Sequence, residues 1–225
     1  MAEIKKDETI LDIQGAYSKA DHFLKNNRNG LYGVMGALVL VIGGLFAYNF
    51  YVDSQNEEAA QLIWKAEYYF ETDSLDKAIN GDGNYMGFKY IADNYGSTKT
   101  GRLAEYYLGI CYYQKGEFQA AIDHLENCKL EDEVVGAIAK GAIGDAYVEL
   151  GKTQEGIEYF EKAVAHSKNN FTSPIYLLKA GLAYEKLGDY TKALETYNTI
   201  KDNYPNSVEG RDIDKYIAKA ESFKK

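Results

Sequence analysis

Residues 103–128 read LAEYYLGICYYQKGEFQAAIDHLENC, residues 138–163 read IAKGAIGDAYVELGKTQEGIEYFEKA, and residues 175–200 read IYLLKAGLAYEKLGDYTKALETYNTI. Aligned on Gly109, Gly144 and Gly181, which lie 35 and 37 residues apart, the three stretches share five position types. Three residues on stands Tyr112, Tyr147 or Tyr184, and seven on stands Gly116, Gly151 or Gly188. Twelve on come Ala121, Gly156 and Ala193, and sixteen on come Leu125, Phe160 and Tyr197. A repeat of this length is one supersecondary unit that buries its apolar face only against its neighbours. The second Gly of each copy stops a first helix in the left-handed conformation that Gly adopts without steric cost. The small residues at the first Gly, and twelve on, let the two helices of a copy approach. The bulky residue sixteen on is expected to fill the gap between neighbouring units.

These units resemble the helix-turn-helix of the tetratricopeptide repeat, and Pro205 falls where that pattern puts its closing Pro. The resemblance implies an all-α fold, a solenoid of three repeats over residues 101–206. A degenerate copy over 53–100 is expected to precede them. Phe88 and Ile91 are in register with Tyr197 and Ile200, and Asn94-Tyr95-Gly96-Ser97 echoes the chain around Tyr204-Pro205. Its first helix should run from about Asn56 to Phe70, with the loop Asn80-Gly81-Asp82-Gly83-Asn84 between its two helices. That loop has Asp and Asn oxygens but lacks the bidentate Glu of an EF-hand, so a plain loop is expected there. In residues 207–225, Ile213, Tyr216, Ile217, Ala220 and Phe223 form one stripe on a capping helix, polar on its other side.

Outside the repeats the decisive stretch is Leu31–Val52, LYGVMGALVLVIGGLFAYNFYV, 22 residues without a charge. As a helix it is about 33 Å long, enough for a hydrocarbon core of about 30 Å. Tyr32 at one end, and Tyr48 and Tyr51 at the other, suit the two interfaces. The run is too long, and starts too far from the N-terminus, for a cleaved signal peptide. Lys19, Lys25 and Arg28 precede it, whereas Lys65 is the only basic residue among the twenty that follow. Positive charge stays on the cytoplasmic side, so residues 1–30 are expected in the cytoplasm and the repeats outside it. Gly33 with Ala37, and Gly43 with Ala47, have the four-residue spacing of membrane-helix packing, although Gly is common in such helices anyway. From Glu8 to Asn26, Ile10, Ile13, Tyr17, Ala20, Phe23 and Leu24 lie near one helical face.

Composition narrows the function. The chain has 225 residues, 34 Asp and Glu against 25 Lys and Arg, and a net charge of -9. It lacks the basic excess of a nucleic-acid binder. His22, His124 and His166 are scattered, the latter two at helix positions expected to be exposed, and no catalytic pairing or phosphate loop can be assembled. No enzyme activity, metal, cofactor or small-molecule substrate is therefore expected. Cys111 and Cys128 occupy small-residue positions of the first clear repeat. They are either buried thiols or, in an oxidising compartment, a disulfide.

Solenoids of this kind bind extended segments along the concave face of their first helices. Here that face should hold Tyr106, Ile110 and Tyr113, then Asp145, Val148 and Glu149, then Leu178, Leu182, Glu185 and Lys186. An apolar groove with an acidic middle suits unfolded or basic segments, or a partner protein. Alternatively, part of the face packs against the C-terminal helix or the degenerate copy.

The whole arrangement, including Phe23-Leu24-Lys25-Asn26-Asn27 before the span, resembles the YfgM-like family of bacterial inner-membrane proteins. That resemblance implies a single-pass inner-membrane protein with a periplasmic repeat domain, ancillary to the SecYEG translocon. It would contact translocating chains or periplasmic chaperones. The alternative is an assembly scaffold for another cell-envelope complex.

Overall fold

The fold grows from the way each repeat ends its first helix. In a computed structural model describing residues 13–224, Gly116, Gly151 and Gly188 have φ of 78°, 77° and 79°. After each, the next backbone N–H turns back to a tyrosine carbonyl. Glu117 donates to Tyr112 at 2.9 Å, Lys152 to Tyr147 at 2.9 Å and Asp189 to Tyr184 at 3.0 Å. This six-residue closure satisfies carbonyls that a helix end otherwise leaves open.

The helix pairs so defined are α5 (Lys99–Gln114) with α6 (Phe118–Asn127), α7 (Val135–Glu149) with α8 (Thr153–His166), and α9 (Thr172–Lys186) with α10 (Tyr190–Asn203). Before them come α1 (Ile13–Asn26), α2 (Arg28–Glu71), α3 (Leu75–Asn80) and α4 (Phe88–Tyr95). After them come α11 (Val208–Arg211) and α12 (Ile213–Phe223), which makes twelve helices and no named strand among the described residues.

Within each pair the helices meet at the first glycine. A Cβ at Gly109 would lie 2.4 Å from Leu125, one at Gly144 2.6 Å from the Phe160 ring, and one at Gly181 2.2 Å from the Tyr197 ring. The bulky residue sixteen positions on therefore seats against the glycine of its own repeat, rather than only between neighbours. Between repeats the same device recurs at Gly141, whose missing Cβ leaves room for the Tyr176 ring.

The degenerate copy differs from its expected form in two ways. Its first helix is not a separate element but the end of α2, with Ala59, Ile63 and Ala66 buried. And the glycine-rich loop lies inside its second helix, not between the two. Asp73 stands at φ 57° where the other copies have Gly, and Ser74 N–H bonds Tyr69 O at 2.8 Å. Asp tolerates the left-handed region better than most residues. Ala66, Tyr69, Asp73 and Ala78 thus repeat the spacing of Gly109, Tyr112, Gly116 and Ala121. Sixteen residues after Ala66 stands Asp82, yet the buried aromatic in that role is Phe88, six residues later. The insertion splits the helix into α3 and α4. Asp82 closes the loop, accepting N–H bonds from Asn84 at 2.9 Å and Tyr85 at 2.8 Å, and the Tyr69 hydroxyl at 2.6 Å. These bonds, the Tyr69 hydroxyl first, hold its carboxyl down at about 2.

The closing segment is also a repeat start. Ser207 Oγ accepts from Gly210 N–H at 2.9 Å, as Thr98 Oγ1 accepts from Gly101 N–H at 2.9 Å to cap α5. The chain bends at Asp212, and α12 then buries Ile213 and Ala220 on α10. Phe223 is half exposed and stacks on Tyr190 at 5.4 Å.

Residues 1–51 form a separate unit from residues 52–225. Within the first unit, helical hydrogen bonding bridges α1 and α2. The Asn27 N–H donates to Phe23 O at 3.0 Å, and the Asn27 carbonyl accepts from Leu31 N–H at 2.9 Å. Residues 18–50 bury no side chain, and a Cβ added at Gly33 or Gly43 meets nothing within 4 Å. By length and composition α2 is the one helix among the described residues able to cross a membrane. Tyr17, Phe23 and Leu24 are exposed, while Ile10 and the Ile13 side chain lie outside the described residues.

Candidate partner-binding groove

The repeat register places matching positions of four first helices side by side. One residue past the first small residue come Glu67 (α2), Ile110 (α5), Asp145 (α7) and Leu182 (α9). Four past it come Phe70, Tyr113, Val148 and Glu185, and five past it Glu71, Gln114, Glu149 and Lys186. Three before it come Ile63, Tyr106, Gly141 and Leu178. Sequence periodicity picks out the members on α5, α7 and α9, but not Glu67, Phe70 and Glu71. Their signal is the Ala66-Tyr69-Ala78 spacing, hidden by Asp73 and by the insertion.

Tyr106, Tyr107 and Tyr113 of α5 lie toward the middle of this face. Tyr107 stacks on Phe88 at 4.7 Å and meets the edges of Phe70 at 5.2 Å and Tyr106 at 5.6 Å. Tyr113 packs on Phe118 at 5.5 Å. Tyr106, Ile110 and Tyr113 also lean on the core formed by α6 and α7, and Val148 and Leu178 on that shared by α7, α8, α9, α10 and α12. They are half-buried supports as much as contact residues. Leu182 is more open, at 39% exposure, and Glu149 is exposed.

Two of the expected acidic residues have internal partners. The Glu185 side chain is only 8% exposed, accepting the Tyr197 hydroxyl at 3.0 Å and pairing with Lys219 of α12 at 2.6 Å. It fastens the closing helix and is not open to a ligand. Asp145 pairs with Lys179 at 2.6 Å, yet burial still pushes its carboxyl up.

The same tyrosine–carboxylate bond recurs elsewhere, which gives several of the 21 tyrosines a structural use. Tyr184 donates to Glu161 at 2.8 Å, and Tyr159 donates to Glu126 on the preceding repeat. The rings of Tyr159, Tyr184 and Tyr197 fill spaces between helices while their hydroxyls end on carboxylates.

The two repeat-domain histidines are not freely exposed, contrary to expectation. His124 stacks on Tyr112 at 5.1 Å with Nδ1 2.6 Å from Glu105, and His166 Nε2 lies 3.0 Å from the Asp132 carbonyl. Their packing on other helices is what the one-dimensional pattern hides. Cys111 and Cys128 are buried free thiols in two different core clusters, and Cys128 donates to Leu125 O at 2.9 Å. Among the described residues no group of three His, Cys, Asp or Glu is placed to hold a metal.

Comparison with known proteins agrees with this geometry. Tetratricopeptide-repeat family models match residues 103–131 and 176–207, and a second model of the same repeat matches 137–170. Tetratricopeptide repeat protein 29 of Macaca fascicularis is 29% identical over 107 residues, 44% of this chain and 22% of that protein. TPR repeat-containing protein MJ1428 of Methanocaldococcus jannaschii is 31% identical over 105 residues, 45% of this chain and 17% of that one. The chain thus spans about a fifth of the length of these relatives. An uncharacterized protein of Aquifex aeolicus is 25% identical over 183 residues, covering 80% of this chain and 89% of its own. Among solved structures, MamA superposes with a TM-score of 0.52 at 20% identity, over 70% of this chain and 93% of its own. The TPR-like repeats of a Podospora anserina kinesin light chain give 0.53 at 16% identity, over 76% of this chain and 86% of theirs. These two likenesses concern the fold alone. From Leu103 to Ser207 the chain thus carries three consecutive tetratricopeptide repeats, stacked as a solenoid.

Proposed function

We propose that this protein is a non-enzymatic scaffold that holds its repeat groove beside a bacterial inner membrane. In this reading residues 31–52 cross the bilayer once, the N-terminus stays in the cytoplasm, and the repeats stand in the periplasm. There they serve the Sec translocon as an ancillary subunit, contacting translocating chains or their chaperones. The observation that carries the reading is the uncharged run of α2, none of whose side chains is buried. An exposed apolar run of that length marks a membrane or interaction surface, and the basic residues before it favour this orientation. The shared face of α2, α5, α7 and α9 supplies the contact surface.

Photocrosslinkers at Tyr113 and Leu182 are expected to capture an arrested secretory chain or a periplasmic chaperone. Crosslinkers at Glu158 and Glu195, exposed on the second helices, should not. Equal capture from both faces contradicts the groove. Stable co-purification with another envelope complex, indifferent to blocked secretion, replaces the translocon role with that of an assembly scaffold.

A further inference from the structure

Four carboxylates in the groove break a local rule of helix design. Glu67 and Glu71 stand four apart on α2, and Asp145 and Glu149 four apart on α7. Each pair stacks like charges on successive turns, which weakens a helix. Burial and then Glu71 push the Glu67 carboxyl up. Besides Lys179 on Asp145, no ion pair reaches any of the four among the described residues. Asp76, Glu105 and Glu161, by contrast, pair with Lys115, His124 and Tyr184.

Both pairs face the aromatic residues of α5. The Tyr107 hydroxyl is pushed up by burial and then by Glu67, with Glu71 adding to it. That of Tyr113 is pushed up by burial and then by Asp145 and Glu149. The face therefore reads, across three helices, as a carboxylate pair, a largely apolar strip of Tyr106, Ile110 and Tyr113, and a second carboxylate pair.

We infer that this face takes an extended protein segment with two cationic side chains about six residues apart, on the same side of the chain, and apolar residues between them. The inference rests on the groove being the contact face proposed above and names the chemistry of its ligand. Axes of packed helices lie about 8–10 Å apart, so α2 and α7, on either side of α5, are separated by about 16–20 Å. An extended chain covers that distance in about five or six residues. A cation at each end relieves the like-charge pairs, and apolar side chains between them rest on the tyrosines. A segment with acidic residues at those places meets repulsion at both ends.

The test uses the full-length protein in detergent and a fluorescent peptide with two Arg separated by five apolar or small residues, which puts both on one side of an extended chain. Binding is expected at low salt and should weaken as salt rises. Neutralising both pairs by the charge reversals Glu71→Lys and Glu149→Lys, at exposed positions whose helix content is checked by circular dichroism, should weaken it by about tenfold or more. A peptide with the two Arg adjacent should bind less well, and one with Glu for Arg should not bind. Equal affinity for the Glu peptide, or indifference to the double reversal, overturns the inference, and equal affinity for adjacent Arg overturns the spacing. If the Tyr113 and Leu182 crosslinkers capture secretory chains while the reversal changes nothing, the groove stands and only the cationic ligand falls.

Discussion

Gly101→Ala is expected to destabilise the repeat domain by about 3 kcal/mol, the upper end of overpacking costs. In a domain of this size that lowers Tm by about 6–12 °C. The added Cβ would lie 1.9 Å from Tyr95 O and 2.4 Å from Tyr95 C, both backbone atoms that no rotamer change can move. The site is fixed from the other side as well, because Thr98 Oγ1 accepts from Gly101 N–H and donates to Tyr95 O at 2.7 Å. Relief requires α4 and α5 to separate, and α5 carries the largely apolar strip of the groove. Gly116→Ala is the control. Nothing lies within 4 Å of its Cβ, so only the left-handed φ of 78° is strained, worth about 1 kcal/mol. Equal Tm losses for the two variants, measured by thermal circular dichroism, contradict the close backbone contact.

A second large effect is expected at alkaline pH. Tyr176, Tyr184 and Tyr197 are buried, and burial first, with Glu161 bonded to Tyr184 and Glu185 to Tyr197, pushes their hydroxyls above the ordinary value of 10. For Tyr184 the shifted value is about 12. Below pH 10 the folded and unfolded chains both keep these protons, and stability does not depend on them. Above it the unfolded chain releases protons that the folded chain retains, so stability falls as pH rises. The slope is about 1.4 kcal/mol per pH unit for each such tyrosine, or about 4 for the three. Tyrosinate absorbance should therefore appear partly in a step that coincides with loss of helical signal. Complete ionisation near pH 10 with the helices intact contradicts the buried tyrosine–carboxylate bonds.

The three regular repeats were legible because their glycines answer needs that no other residue meets so cheaply. Gly116, Gly151 and Gly188 require a positive φ, and Gly109, Gly144 and Gly181 admit a bulky neighbour. The first copy obeys the same geometry with Asp73 and Ala66, residues that carry no such signal by themselves. Its insertion then moved Phe88 out of step, and with the register went Glu67, Phe70 and Glu71. The groove was readable where periodicity held, on α5, α7 and α9. What periodicity could not give was pairing between distant elements. Glu185 looks like a groove residue by register, and only the packing of α10 and α12 shows its carboxylate held by Tyr197 and Lys219. The partners of His124 and His166 were hidden for the same reason.

Membrane topology is the point on which the proposed role turns. Spheroplasts with sealed inner membranes can be treated with an impermeant maleimide, using single cysteines introduced at Ser18 and Ser222, both exposed. The native Cys111 and Cys128 are buried, and Cys111 is raised to about 12 by burial, which keeps the background low. Ser222→Cys is expected to label at once, and Ser18→Cys only after the membrane is opened. Labelling of Ser18→Cys in sealed spheroplasts, with Ser222→Cys protected until lysis, would put the repeats in the cytoplasm and contradict the account.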